Sequence, residues 1–264
     1  LAAYSKDPVP PKDQQHMIRA IRTRLEGAGS LPVWLEMHQD TKSASECPAK
    51  QGFHELILGL LFEHTERWGR VCMTGPCRLY EMLQENDDGS KRFGRLTDLT
   101  LDIRHPRPLT WPRRPIAIDA FEEVPNLRNV SFRSYRMAIV SSNAPKVTFS
   151  LPWHQLERYS SHGGGDNALD NILQANPKGL FYLNYIVANF YTEVPKHLVT
   201  MQLLQVLQLH TCNHSDRLAA LLDQLVLPSL VELHLRGAFK REHILFTRVK
   251  NLVARSNCFL SKLE

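Results

Sequence analysis

Along most of the chain the pattern apolar-x-x-apolar-x-apolar returns at nearly regular intervals, and no other feature of the sequence limits the fold so tightly. Well-formed copies are Trp68-Val71-Met73, Leu96-Leu99-Leu101, Leu127-Val130-Phe132, Leu180-Leu183-Tyr185, Leu204-Leu207-Leu209 and Leu230-Leu233-Leu235. A degraded copy at Leu156-Tyr159-Ser161 leaves helix, strand and irregular segment all open, and an unfinished one stands at Leu260-Leu263. Successive first positions are 28, 31, 29, 24, 24, 26 and 30 residues apart. The last two apolar positions of each copy alternate with period two, which describes a short strand turning every second side chain inward. Strands that recur in this way bury their apolar side chains by stacking in parallel, and the rest of each copy must carry the chain back to the next start.

Several return segments have helical spacing. Phe53, Leu56, Ile57, Leu60, Leu61 and His64 form one apolar stripe, and Leu218, Leu221, Leu222 and Leu225 form another. Shorter stripes occur at Leu79, Met82 and Leu83, at Leu169, Ile172 and Leu173, and at Val249, Leu252 and Val253. Pro125, Pro177 and Pro228 each stand two or three residues before a first apolar position. Proline cannot continue a helix and holds its predecessor extended, so each marks the place where a helix should yield to the next strand. Near the start, a helix is predicted from Asp13, as N-cap, to Glu26, with Ile18, Ile21 and Leu25 on one face and Gly27 and Gly29 ending it. Leu31 to His38 then reads as a first, non-standard strand.

The steps lie mostly within or just beyond the roughly 20–29 residues of leucine-rich repeats. The expected class is therefore α/β: a leucine-rich-repeat solenoid with a curved parallel sheet, helices or irregular segments on its convex side, and a helical N-terminal cap. Residues 1–38 supply an extended segment, the capping helix and the first strand, and residues 39–264 form one continuous irregular solenoid. Leu1 in place of Met, the lack of a signal-peptide pattern and the unfinished last copy read as a piece of a longer polypeptide.

Composition narrows the function classes. No apolar run approaches the ~20 residues needed to span a bilayer. Five cysteines, Cys47, Cys72, Cys77, Cys212 and Cys258, are too sparse for a secreted disulfide scaffold, which points to reduced thiols in the cytoplasm or nucleus. Sequons at Asn129 and Asn213 point the other way, but so short a motif carries little weight. The net charge of +5 is matched by the segment from Lys91 to Arg136, which holds ten Lys/Arg against five Asp/Glu. Such a segment is usually a solvated face, although a basic nucleic-acid-binding module using residues 91–136 is the alternative reading.

Signatures of chemistry are missing. Cys212 fills the Asn/Cys consensus position counted from Leu204, so it should point inward while His210 points outward. With His214 and Asp216 that set does not converge on a metal. Gly163 to Gly165 lack the Lys-Ser/Thr ending of a phosphate-binding loop. No signature joins a nucleophile to a base. The expectation is a non-enzymatic protein with neither cofactor nor metal.

A binding solenoid presents the strand positions that alternate with the buried ones. They form three rows: Asp98, Asn129, Arg158, Tyr182, Val206 and Glu232; then Thr100, Ser131, Ser160, Asn184, Gln208 and His234; then Asp102, Arg133, His162, Ile186, His210 and Arg236. The candidate contacts are Asp102, Arg133, Arg158, His162, Tyr182, Asn184, Gln208, His210, His234 and Arg236. Among them Tyr182 and the arginines lead, because Tyr and Arg dominate binding hot spots.

In order and spacing, the segments LEGAGSLPVWLEMH (25–38), LLFEHTERWGRVCM (60–73), DAFEEVPNLRNVSF (119–132), LPWHQLERYSSH (151–162), LLDQLVLPSLVELHL (221–235) and ARSNCFLSKL (254–263) resemble the leucine-rich-repeat region of F-box-like proteins of mushroom-forming fungi. The resemblance covers nearly the whole chain. It implies a module that selects a protein substrate or peptide on its concave face for a ubiquitin ligase. The family's F-box, which docks a Skp-type adaptor, is not in this sequence, so that contact would need a module upstream of it.

Overall fold

The computed structural model describes residues 12–38, 56–75, 80, 82–84, 93–103, 116–134, 147–162, 168–187, 197–211, 215–237 and 242–264. Helix α1 spans Lys12–Gly27 and strand β1 Val33–His38. The strands β2 (Trp68–Gly75), β3 (Asp98–Ile103), β5 (Asn129–Ser134), β7 (Arg158–His162), β8 (Tyr182–Val187), β10 (Val206–Thr211), β12 (Glu232–Gly237) and β13 (Lys262–Leu263) follow. With β1 they make a nine-stranded sheet whose spatial order follows the chain. Every pairing in it is parallel. The protein is thus α/β with one large open parallel sheet.

The register follows the repeat. Val71, Leu99, Val130, Tyr159, Leu183, Leu207 and Leu233 stand opposite one another in turn across adjacent strands. All seven are buried, as are the first positions Trp68, Leu96, Leu127, Leu156, Leu180, Leu204 and Leu230. The degraded copy is a regular strand, β7. Its inward Ser161 is fully buried, opposite Phe132 on one side and Tyr185 on the other.

The return segments cover the buried face. Residues 56–62 are helical, and α2 (Ala168–Ala175), α3 (Ser215–Gln224) and α4 (Glu242–Ser256) fall on the expected stripes. Helices α3 and α4 pack together, tied by Arg248 Nη1 and Asp223 Oδ2 at 2.9 Å. Two expectations need correction. Pro228 follows a short strand, β11 (Leu225–Val226), so Leu225 is not helical, and Pro125 follows a turn after β4 (Ile116–Ile118). Strand β4 pairs with β6 (Val147–Phe149), and β11 with β9 (Val199–Thr200), as two small parallel sheets. β-Branched residues at Ile116, Ile118, Val147, Val199, Thr200 and Val226 favour extended pairing over a last helical turn. Phe53, Leu79 and the stretch Leu1 to Pro11 lie outside the described residues.

Polar side chains stitch successive copies together at a position the apolar pattern does not mark. In the first four copies the residue just before the first apolar position reaches back to carbonyls of earlier turns. Arg67 donates to Leu25 O (2.9 Å) and Leu31 O (3.1 Å), fixing α1 to the first open end of the stack. Arg95 donates to Ser30 O, Asn126 to Gly94 O, and Gln155 to both Val124 O and Leu127 O. These bonds serve carbonyls at helix ends and turns, outside the strand ladder.

Gly237, at the end of β12, has φ +146°, and a Cβ there would fall inside the Thr211 carbonyl oxygen. Gly237→Ala is therefore expected to cost about 1–3 kcal/mol through local strain, seen as an earlier midpoint in denaturant. A change below about 0.5 kcal/mol would show that the strand end moves freely.

Candidate recognition face

The side chains alternating with the buried ladder form the rows expected. Arg70, Asp98, Asn129, Arg158, Tyr182, Val206, Glu232 and Lys262 are opposite one another in turn. Cys72, Thr100, Ser131, Ser160, Asn184, Gln208 and His234 make the middle row. In the third, Asp102 faces Arg133, Arg133 faces His162, and Ile186, His210 and Arg236 continue it. At ~4.8 Å between strands, nine strands span about 38 Å.

A cleft of ≈ 410 Å³ lies on this face, lined by Arg70, Asp98, Thr100, Asn129, Arg158 and Tyr182 among others. Its floor is organised around Asp98, which accepts from Thr97 Oγ1 (2.7 Å) and Asn129 Nδ2 (3.0 Å) and lies 3.7 Å from Arg70 Nη2. Arg158 sits over the rings of Phe181 (4.8 Å) and Tyr182 (5.9 Å), and the Tyr182 hydroxyl donates to Gln208 Oε1 at 3.4 Å. Both contacts fall within cation–π range, which favours this position of the guanidinium.

Ten candidate contacts share the face but not the same depth. Arg133, Arg158 and Arg236 are exposed, whereas His162, Tyr182, Gln208 and His210 are half-buried. Asp102, Asn184 and His234 are buried, so they shape the surface more than they present it. His234 is held between Glu264 Oε2 (2.8 Å) and Glu232 Oε2 (3.2 Å). Hydrogen bonds from Lys262 and His234 draw the exposed Glu264 carboxyl down to about 2.

In the centre, Ser160 Oγ is 3.2 Å from His162 Nδ1, and Asn184 Nδ2 is 3.4 Å from His162 Nε2. The rings of His162 and His210 are 6.4 Å apart. Burial first, then Arg133, pushes His162 below its ordinary value; burial, then Arg236, His162 and His234, does the same to His210. Such groups bind fewer protons folded than unfolded, so their contribution to stability is full above the unfolded value of 6.5 and falls as pH drops below it. Melting temperature should therefore decline over that window, and less so in a His162→Gln/His210→Gln variant. Identical slopes would contradict the assignment. Glu264, with a depressed value, acts in a separate window, losing its contribution between 4.5 and about 2.

Among the described residues no group of three His, Cys, Asp or Glu could hold a metal ion. Cys212, His214 and Gly163 to Gly165 lie outside them, as do Lys91 and Arg136 at the ends of the basic segment. Within that segment Arg95 is committed to Ser30 O, and Arg128 lies 3.7 Å from Glu157 and donates to Pro125 O. Arg133 is its described cation on the strand face. No described helix is long and apolar enough to cross a membrane. Comparison with family models, characterised proteins and solved structures finds no match to this chain.

Proposed function

We propose that the chain is a leucine-rich-repeat solenoid that acts as a non-enzymatic protein-recognition scaffold, the substrate-binding part of an F-box-like ubiquitin-ligase adaptor in the cytoplasm or nucleus. The observation that carries the recognition role is the face itself: three rows of mostly polar and aromatic side chains along a nine-stranded parallel sheet, with a cleft among them. The ligase role draws on the resemblance of the ordered repeat segments. Hydrolysis is disfavoured although Ser160, His162 and Asn184 have the order of nucleophile, base and orienting amide. Ser160 lies mid-strand between β5 and β8, where backbone N–H groups serve the ladder and are not free to stabilise an oxyanion. The outward Cys72 thiol is pushed up, by burial first and then by Glu36 and Asp102, which disfavours a nucleophilic thiolate.

Affinity capture from the source organism tests the reading. Tyr182→Ala should release the captured protein while melting stays nearly unchanged, and Lys250→Ala on α4 should change neither capture nor melting. An unchanged capture with Tyr182→Ala would contradict recognition on this face, and unfolding would contradict the assignment of inward and outward sides. For the ligase role, a full-length protein that fails to retain a Skp-type adaptor would be the contrary result.

A further inference from the structure

Charge is distributed unevenly over the face. The outward positions of β5, β7, β8 and β10 are Asn129, Ser131 and Arg133, then Arg158, Ser160 and His162, then Tyr182, Asn184 and Ile186, then Val206, Gln208 and His210. They include two arginines and two histidines and no carboxylate. The carboxylates beside this stretch are already engaged or buried: Asp98 by Thr97, Asn129 and Arg70, Glu232 and Glu264 by His234, and Asp102 within the sheet face. Arg133, opposite the buried Asp102, and Arg158, beside the rings of Phe181 and Tyr182, are both exposed to an acceptor from outside the chain. Between the cations the middle row offers only hydroxyl and amide groups.

We propose that the β5–β10 part of the face binds an acidic peptide segment of the protein partner, whose carboxylates pair with Arg133 and Arg158 and lie against His162 and His210. The proposal rests on the recognition reading above and gives the partner its chemistry. Guanidinium groups suit bidentate carboxylate recognition, and the rings beside Arg158 favour its position. The histidines add a pH dependence. Among described residues, the charged or titratable groups that face them are Arg133 and His210 for His162, and Arg236, His162 and His234 for His210. In the free protein burial first, and then Arg133 and Arg236, disfavour the imidazolium forms. A carboxylate opposite the rings favours them, so binding takes up protons and tightens as pH falls.

Fluorescence anisotropy with a short fluorescein-labelled peptide alternating glutamate and glycine tests this, with a glutamine-for-glutamate peptide and a single-stranded oligonucleotide of equal charge as comparisons. The glutamate peptide should bind and the glutamine peptide should not. Arg133→Glu/Arg158→Glu should weaken binding about 10-fold or more without shifting the melt. Affinity should rise several-fold from about pH 7.5 to about pH 5.5, and His162→Gln/His210→Gln should abolish the rise. Equal binding of both peptides, indifference to charge reversal, or preference for the oligonucleotide would overturn the proposal. So would a native partner that is lost with Tyr182→Ala but unaffected by Arg133→Glu/Arg158→Glu, a result that leaves the recognition face standing.

Discussion

Leu207→Ala is expected to lower the unfolding free energy by about 2–5 kcal/mol, measured as a fall in denaturant midpoint at constant m. Leu207 is fully buried in β10, opposite Leu183 on one side and Leu233 on the other. Both neighbours belong to strands held in register by the backbone ladder. Truncation therefore leaves a hole that neither side can close, and the lost transfer energy is joined by a cavity term. A cost under about 1 kcal/mol would mean that the site collapses or is wet.

Trp68→Ala is expected to cost about 3–5 kcal/mol. The indole is fully buried in an aromatic run, with ring centroids 5.8 Å from Phe62 and 5.4 Å from Phe93, and Phe93 is 5.2 Å from Phe121. This run joins the helical residues 56–62 to the strands and supports the end capped by α1. Trp68→Phe separates packing from hydrogen bonding. Trp68 Nε1 is buried with no hydrogen-bond partner among the described residues. Phenylalanine keeps much of the ring and removes an unmet donor, so the loss should shrink to about 1 kcal/mol. Equal losses for Ala and Phe would show that the N–H group holds something in place.

The rows of the face were legible in the sequence because alternation on a strand has only two outcomes, and six clear copies agreed on one. Leu183, Leu207 and Leu233 fell inward together, and Tyr182, Val206 and Glu232 outward together. Depth was not legible. Alternation assigns Asn184 and His234 to the outward side but says nothing of the neighbours they meet there, His162 on β7 and the two glutamates around His234. Ser161 hid strand β7 because apolarity was the signal, and the buried position opposite Phe132 and Tyr185 holds a polar side chain. Arg67, Arg95, Asn126 and Gln155 also went unread as structural residues. A shared position before the first apolar residue was visible, but the carbonyls it serves appear only once copies are stacked.

Consecutive copies stack as consecutive parallel strands sharing one buried ladder. Nitroxide spin labels at Arg70 and Glu232, on a background cleared of other reactive cysteines, measure it directly. These residues occupy the same row on β2 and β12, six strand steps apart. The dipolar distance should centre at about 29 Å with a narrow distribution. A maximum below about 15 Å or beyond about 45 Å would place the strands in another order and contradict the stack.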